Sequence, residues 1–179
     1  MEETHKVIPD NRTILAALAY YSTAAEEWSK SPEYIRNFLQ TGVRHNARSM
    51  SMGLLEACVL KYQGKDQEAQ KILEDYGNRI RDTWFLDILD YLQGKQTEKS
   101  LKEKAGETPE KLVTAYTFMG FWAEGSGKPE KALKHYKVAL ESFLDDWLEY
   151  DFAQERIKRL RATASEEKKG DDSAPNDKK

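Results

Sequence analysis

The chain has little of several things, and each scarcity narrows the possibilities. Among its 179 residues there is one cysteine, Cys58, so no intrachain disulfide framework and no cysteine-rich zinc module is encoded. No apolar run approaches the roughly 18 residues of a membrane-spanning helix. Strand signals are missing too, for no alternating β-branched run lies between turns. Basic excess is absent: 28 Lys and Arg stand against 31 Asp and Glu, a net charge of −3. A nucleic-acid partner, which needs a basic face, is therefore not expected. Histidines number three and are scattered, with no partners at metal-ligand spacing, so neither metal nor cofactor is expected.

What is present is helical period. Ile14, Leu18, Tyr21, Ala25 and Trp28 recur at steps of three and four, which makes one apolar stripe on a helix. Ser31-Pro32-Glu33 and Thr108-Pro109-Glu110 read as helix starts, with a capping hydroxyl, proline at the first position and an acid near the positive end. Gly42, Gly64, Gly94, Gly106 and Gly127 break the pattern between segments. Helices are expected over 46–62, 68–79, 84–92, 97–105, 109–124, 129–142 and 145–164. The fold class is all-α. Residues 1–12 read as a flexible N-terminus, 13–164 as the helical domain, and 165–179 as a disordered charged tail, since five acids and four lysines leave nothing large to bury there.

The helices come in pairs with a period. Gly64-Lys65 precedes Ala69 as Gly127-Lys128 precedes Ala132, and the two alanines are 63 residues apart. Ile35 lies 34 residues before Ala69. A period of about 34 is that of tetratricopeptide (TPR) helix pairs, with the unit between Asp82 and Ala105 short and degenerate. Tyr116, Gly120, Gly127, Ala132, Tyr136 and Ala139 fall at the spacings of that repeat. Gly64, Ala69, Tyr116, Gly120, Ala132, Tyr136 and Ala139 are thus expected to pack the repeats, the small residues allowing close approach. The resemblance implies a right-handed α-solenoid of three to four TPR-like helix pairs closed by a C-terminal capping helix.

Trp84, Tyr91-Leu92-x-Gly94, Ala115-Tyr116-x-Phe118-Met119-Gly120 and Glu149-Tyr150-x-x-Ala153 carry a narrower likeness, from Trp84 to Leu160. Their order resembles the C-terminal part of the NlpI-type bacterial envelope TPR lipoproteins. That resemblance implies a non-enzymatic adaptor, often dimeric, docking envelope proteases and cell-wall hydrolases. No lipidation cysteine or signal segment stands at this N-terminus. Periplasm or envelope is the expected location if a signal was removed, and cytoplasm otherwise.

No catalytic constellation emerges. Glu124-Gly125-Ser126-Gly127-Lys128 lacks the first glycine and the Ser/Thr of a phosphate loop, and reads as a turn between helices. Cys58 reads as a buried, inert thiol and His135 as a solvated rim residue. Function is then expected on a surface. The TPR register places Ser51, Leu54, Cys58 and Lys61, then Thr114, Thr117, Phe121 and Glu124, on the concave groove, to hold a protein or peptide partner. For Leu54 and Phe121 packing against the terminal helix or Trp28 is the equal alternative. Trp147, beside Asp145-Asp146, is the candidate for an exposed anchor or a homodimer interface. A self-assembling structural subunit with the C-terminal helix as its interface is the second reading of the function.

Overall fold

A computed structural model describes residues 11–42 and 47–171, with side chains through Glu166. The described residues are helical or in turns, with no strand among them. Four hairpins and a long final helix follow in order. The first pairs α1 (Arg12–Ala24) with α2 (Ser31–Gln40), and the second α3 (Ala47–Tyr62) with α4 (Asp66–Gly77). Then come α5 (Thr83–Leu92) with α6 (Glu98–Ala105), α7 (Pro109–Gly125) with α8 (Pro129–Leu140), and α9 (Leu148–Asp171).

Local chemistry sets the helix starts. The Asn11 side chain accepts from the amides of Thr13 and Ile14, Asp82 from those of Trp84 and Phe85, and Thr97 from that of Ser100. Each supplies one acceptor to otherwise unpaired first-turn donors. Ser31 behaves differently from its sequence signal. It lies inside α2, fully buried, with its hydroxyl 2.5 Å from that of Thr23.

Three hairpins turn in one way. Gly64, Gly94 and Gly127 have φ of 74°, 75° and 68°. The lysine after each donates to the carbonyl five residues back: Lys65 to Leu60, Lys95 to Asp90 and Lys128 to Ala123. This left-handed glycine closure satisfies a carbonyl of the last turn. The middle unit, expected to be degenerate, therefore keeps the turn and shortens the helices, to 10 and 8 residues.

Because that unit is short, α3 packs directly on α7, with α5 wedged at their edge against both. Both α3 and α7 are buried nearly all round, from Ser49 to Leu55 and from Val113 to Phe121. Their sequences carry no polar face of any length, which is the pattern of a helix with neighbours on every side. The last helix does more than cap. It packs on α1, α7 and α8, so that α1, α3, α7 and α9 close into a ring. Phe152 sits at its centre, with ring centroids 5.9 Å from Tyr20, 5.1 Å from Phe121 and 6.3 Å from Tyr136.

Three boundaries differ from the sequence reading by more than two residues. The first helix ends at Ala24, so Trp28 falls beyond it and stacks at 4.8 Å on Tyr62. The last helix begins at Leu148, which leaves Asp145-Asp146 in the turn ahead of it. It continues to Asp171, into the stretch expected to be disordered; 172–179 lie outside the described residues, as do 1–10 of the N-terminal segment.

Candidate interaction cleft

Of the eight residues expected on the groove, Thr117, Phe121 and Glu124 lie against α9, through Glu149, Phe152 and Arg156. Leu54, Cys58 and Phe121 are at most 1% exposed, and Ser51, Thr114 and Thr117 are buried. Thr117 donates from its hydroxyl to the Glu149 carbonyl of α9 at 3.0 Å, and Thr114 to the Glu110 carbonyl at 2.9 Å. Those hydroxyl protons are therefore not available to a peptide backbone. Lys61 is half-buried and pairs with Asp66 at 2.9 Å. The expectation of an open groove is corrected for this reason: Leu54 and Phe121 are buried in the core, and the Phe121 ring packs against Phe152 of α9.

Glu124 is held hardest. Arg156, from α9, is 1% exposed and reaches the two Glu124 oxygens at 3.0 Å from Nε and 2.5 Å from Nη2. Its Nη1 donates to Glu26 at 2.8 Å and to the Ala24 carbonyl at 3.3 Å. Tyr136 donates to Glu124 at 2.5 Å, and Tyr62 to Glu26 at 3.2 Å. Burial works against the guanidinium charge, yet the bonds to Glu124 and Glu26 prevail and hold Arg156 firmly protonated. Burial, seconded by the Glu124 charge, lifts the Tyr136 phenol well above its ordinary value. Sequence spacing gave no sign of this cluster, because its members lie up to 132 residues apart.

The repeat-packing residues lie in the helix contacts. Ala69, Ala132, Tyr136 and Ala139 are fully buried and Tyr116 nearly so. A Cβ on Gly120 would stand 2.5 Å from the Tyr136 ring, so only glycine allows that approach. Gly64 turns the second hairpin. Cys58 is buried, and burial raises its thiol pKa, leaving the thiol protonated. His135, read from the sequence as a rim residue, is 3% exposed and packs at 5.7 Å from Tyr116. Its Nδ1 lies 3.8 Å from Glu98, and its buried Nε2 has no partner among the described residues.

One part of the inner face stays open. A cleft of about 530 Å³ is bounded by α3, α5, α7 and the start of α9. Tyr20, Ser51, Thr114 and Glu149 form its buried lining, with the Tyr20 hydroxyl donating to Glu149 at 2.7 Å. Trp84, Phe85, Trp147 and Leu148 supply aromatic and apolar walls. Arg48, Glu110, Lys111 and Asp146 surround it with both signs of charge. Lys111 Nζ lies 5.2 Å from the Trp84 ring centroid, within cation–π range. Ser51, Thr114 and Trp147 are thus brought together; Leu54, Cys58, Lys61, Thr117, Phe121 and Glu124 do not line the cleft.

A further residue stands out in the turn ahead of α9. Phe143 is 81% exposed and left-handed at φ 56°, three positions ahead of Asp146. A bulky residue at positive φ is a backbone outlier, and an exposed phenyl gains nothing from burial to offset it. The sequence carried a signal here, a large apolar residue between the expected helices 129–142 and 145–164, which the repeat spacing left without a role.

Among the described residues no helix is long and apolar enough to cross a membrane. No family model and no curated protein matches this chain.

Proposed function

We propose that this protein is a non-enzymatic adaptor built from TPR-type helix pairs, which docks a partner polypeptide in the cleft between α3, α5, α7 and α9. One observation carries the reading: Ser51, Thr114 and Trp147, nominated from three separate stretches of sequence, line the same cleft. Its chemistry suits a protein ligand. Two indoles, a phenyl ring and a leucine offer apolar contact, and the mixed charges around them offer register. Specificity would come from these few side chains, displayed by helices that the ring holds in place.

The test is cross-linked capture with the full chain beside Trp147→Ala and Arg48→Glu, each first shown by circular dichroism to be folded. A partner held by the parent and lost by both variants is the expected result. Equal capture by all three removes the cleft from the reading.

Self-assembly is the second reading, and Phe143 favours it. An exposed phenyl and an aromatic-lined cleft form a self-complementary pair if two copies meet about a two-fold axis. Sedimentation across a concentration series decides. A dimer that Phe143→Ser dissociates supports assembly, and a monomer at all concentrations ends it.

A further inference from the structure

Away from the cleft, α2 and α4 each pack on α3 but not on one another, which leaves an open seam between them. At one end of that seam is a pocket of about 200 Å³, walled by Leu39, Tyr76 and Ile80. Arg36 of α2 and Arg79, just beyond α4, both line it, and Gln40 with the half-buried Glu56 of α3 completes the lining. Among the described residues neither guanidinium makes a hydrogen bond or a contact ion pair. Glu56 feels Arg36 only as a charge at longer range, and burial raises its carboxyl pKa. The lining therefore carries one uncompensated positive charge with Glu56 ionised, and two with it neutral.

Each guanidinium presents a planar fork of donors that matches a carboxylate, and the apolar wall behind favours a hydrocarbon body. At roughly 30 Å³ per water, the space equals about six or seven waters, close to the bulk of a small branched acid. We propose that this pocket binds a carboxylate carried on a compact aliphatic body, with Arg36 and Arg79 at the anionic end and Leu39, Tyr76 and Ile80 around the hydrocarbon. Two sources share that chemistry: a free short-chain acid, and the last residue of a peptide. Beyond Arg36 and Glu56 the seam continues as a furrow of about 550 Å³ between Pro32 and Ile72, where a peptide's preceding residues would lie.

The experiment titrates the full chain and follows backbone amides and arginine Nε–H groups by two-dimensional NMR. The probes are 4-methylpentanoate, 4-methylpentanamide, acetyl-Gly-Leu with a free or an amidated C-terminus, and inorganic phosphate. The expected result is saturable shifts at Arg36, Tyr76 and Ile80 with both free carboxylates and with neither amide. Arg36→Leu and Arg79→Gln should each weaken binding by about tenfold, the loss of a charge-assisted contact. Glu56→Gln, which removes the competing negative charge, should tighten it, and a merely structural role for these residues predicts no such gain. Tighter binding of the peptide than of the free acid would identify a chain terminus as the source; equal binding would identify the small acid. Amides binding as well as acids, phosphate binding as well as either, absence of saturable shifts, or arginine variants that bind like the parent would each overturn the proposal.

Discussion

The guanidinium of Arg156 has no route to water, and three carbonyl or carboxylate partners take its place. Such a group is costly to leave half-paired. Arg156→Met strands Glu124, whose side chain is 3% exposed, and is expected to cost about 3–5 kcal/mol in urea denaturation. Its other partner, Glu26, is held in the left-handed region at φ 63°, a position that glycine would occupy without strain. Glu26→Ala loses the ion pair and keeps the strain, whereas Glu26→Gly loses the pair and relieves it. The glycine variant should therefore be the more stable of the two by about 1 kcal/mol. His135 gives a pH dependence. Burial holds its imidazole below the ordinary value, and nearby Lys131 adds to this while Glu98 opposes it. As pH falls below about 6.5 the unfolded chain takes up this proton first, so stability declines through that window. Denaturation midpoints at about pH 7.5 and about pH 5.5 should differ less in His135→Phe than in the parent. None of these three roles was legible. A period tells which residues share a face, but not which face a helix 130 residues away will cover.

At the scale of elements the sequence spoke more clearly. Capping residues, proline starts and glycine stops are local, so Thr97, Pro109 and Pro129 marked their helices within a residue or two. The exceptions are instructive because their causes are distant. The first helix should have run to Trp28 on its apolar stripe. It stops at Ala24, where Arg156 takes the Ala24 carbonyl and the Glu26 carboxylate. Gly94 was read as a helix stop, but the shortness of its helices hid that Gly94-Lys95 repeats the turn of the other two hairpins. Its glycine, at φ 75° with open space around the absent Cβ, isolates the backbone effect. Gly94→Ala should cost about 1–2 kcal/mol without any steric clash. Gly120→Ala, which drives a methyl into the Tyr136 ring, should cost about 1–3 kcal/mol through packing instead. Thermal or urea unfolding compares the two directly.

The whole molecule departs furthest from what the repeat spacing implied. A linear array stabilises each unit through its nearest neighbours, and such chains can fray from an end. Here the first and last helices run side by side in the same direction, Tyr20 meeting Glu149, Tyr21 meeting Asp151 and Ala24 meeting Arg156. No end of the ring is free to loosen alone. Fluorescence from Trp28, Trp84, Trp122 and Trp147, which sit on different parts of it, should change at one denaturant concentration together with the helical circular dichroism signal. Two separated transitions would mean that the hairpins unfold independently. The closure also explains why Thr117, Phe121 and Glu124, expected on an open groove, are covered instead. Nearest-neighbour spacing encodes the stack, and only the partners of Phe152 and Arg156 encode what fills it.

That closure has a consequence in time. Translation adds about 5–20 residues each second, so the 130 residues between Glu26 and Arg156 separate the two halves of one ion pair by on the order of 10 s. Through nearly all of that interval Tyr20 waits without the helix that covers it. The growing chain thus presents an aromatic interior to its surroundings until its last helix has been made.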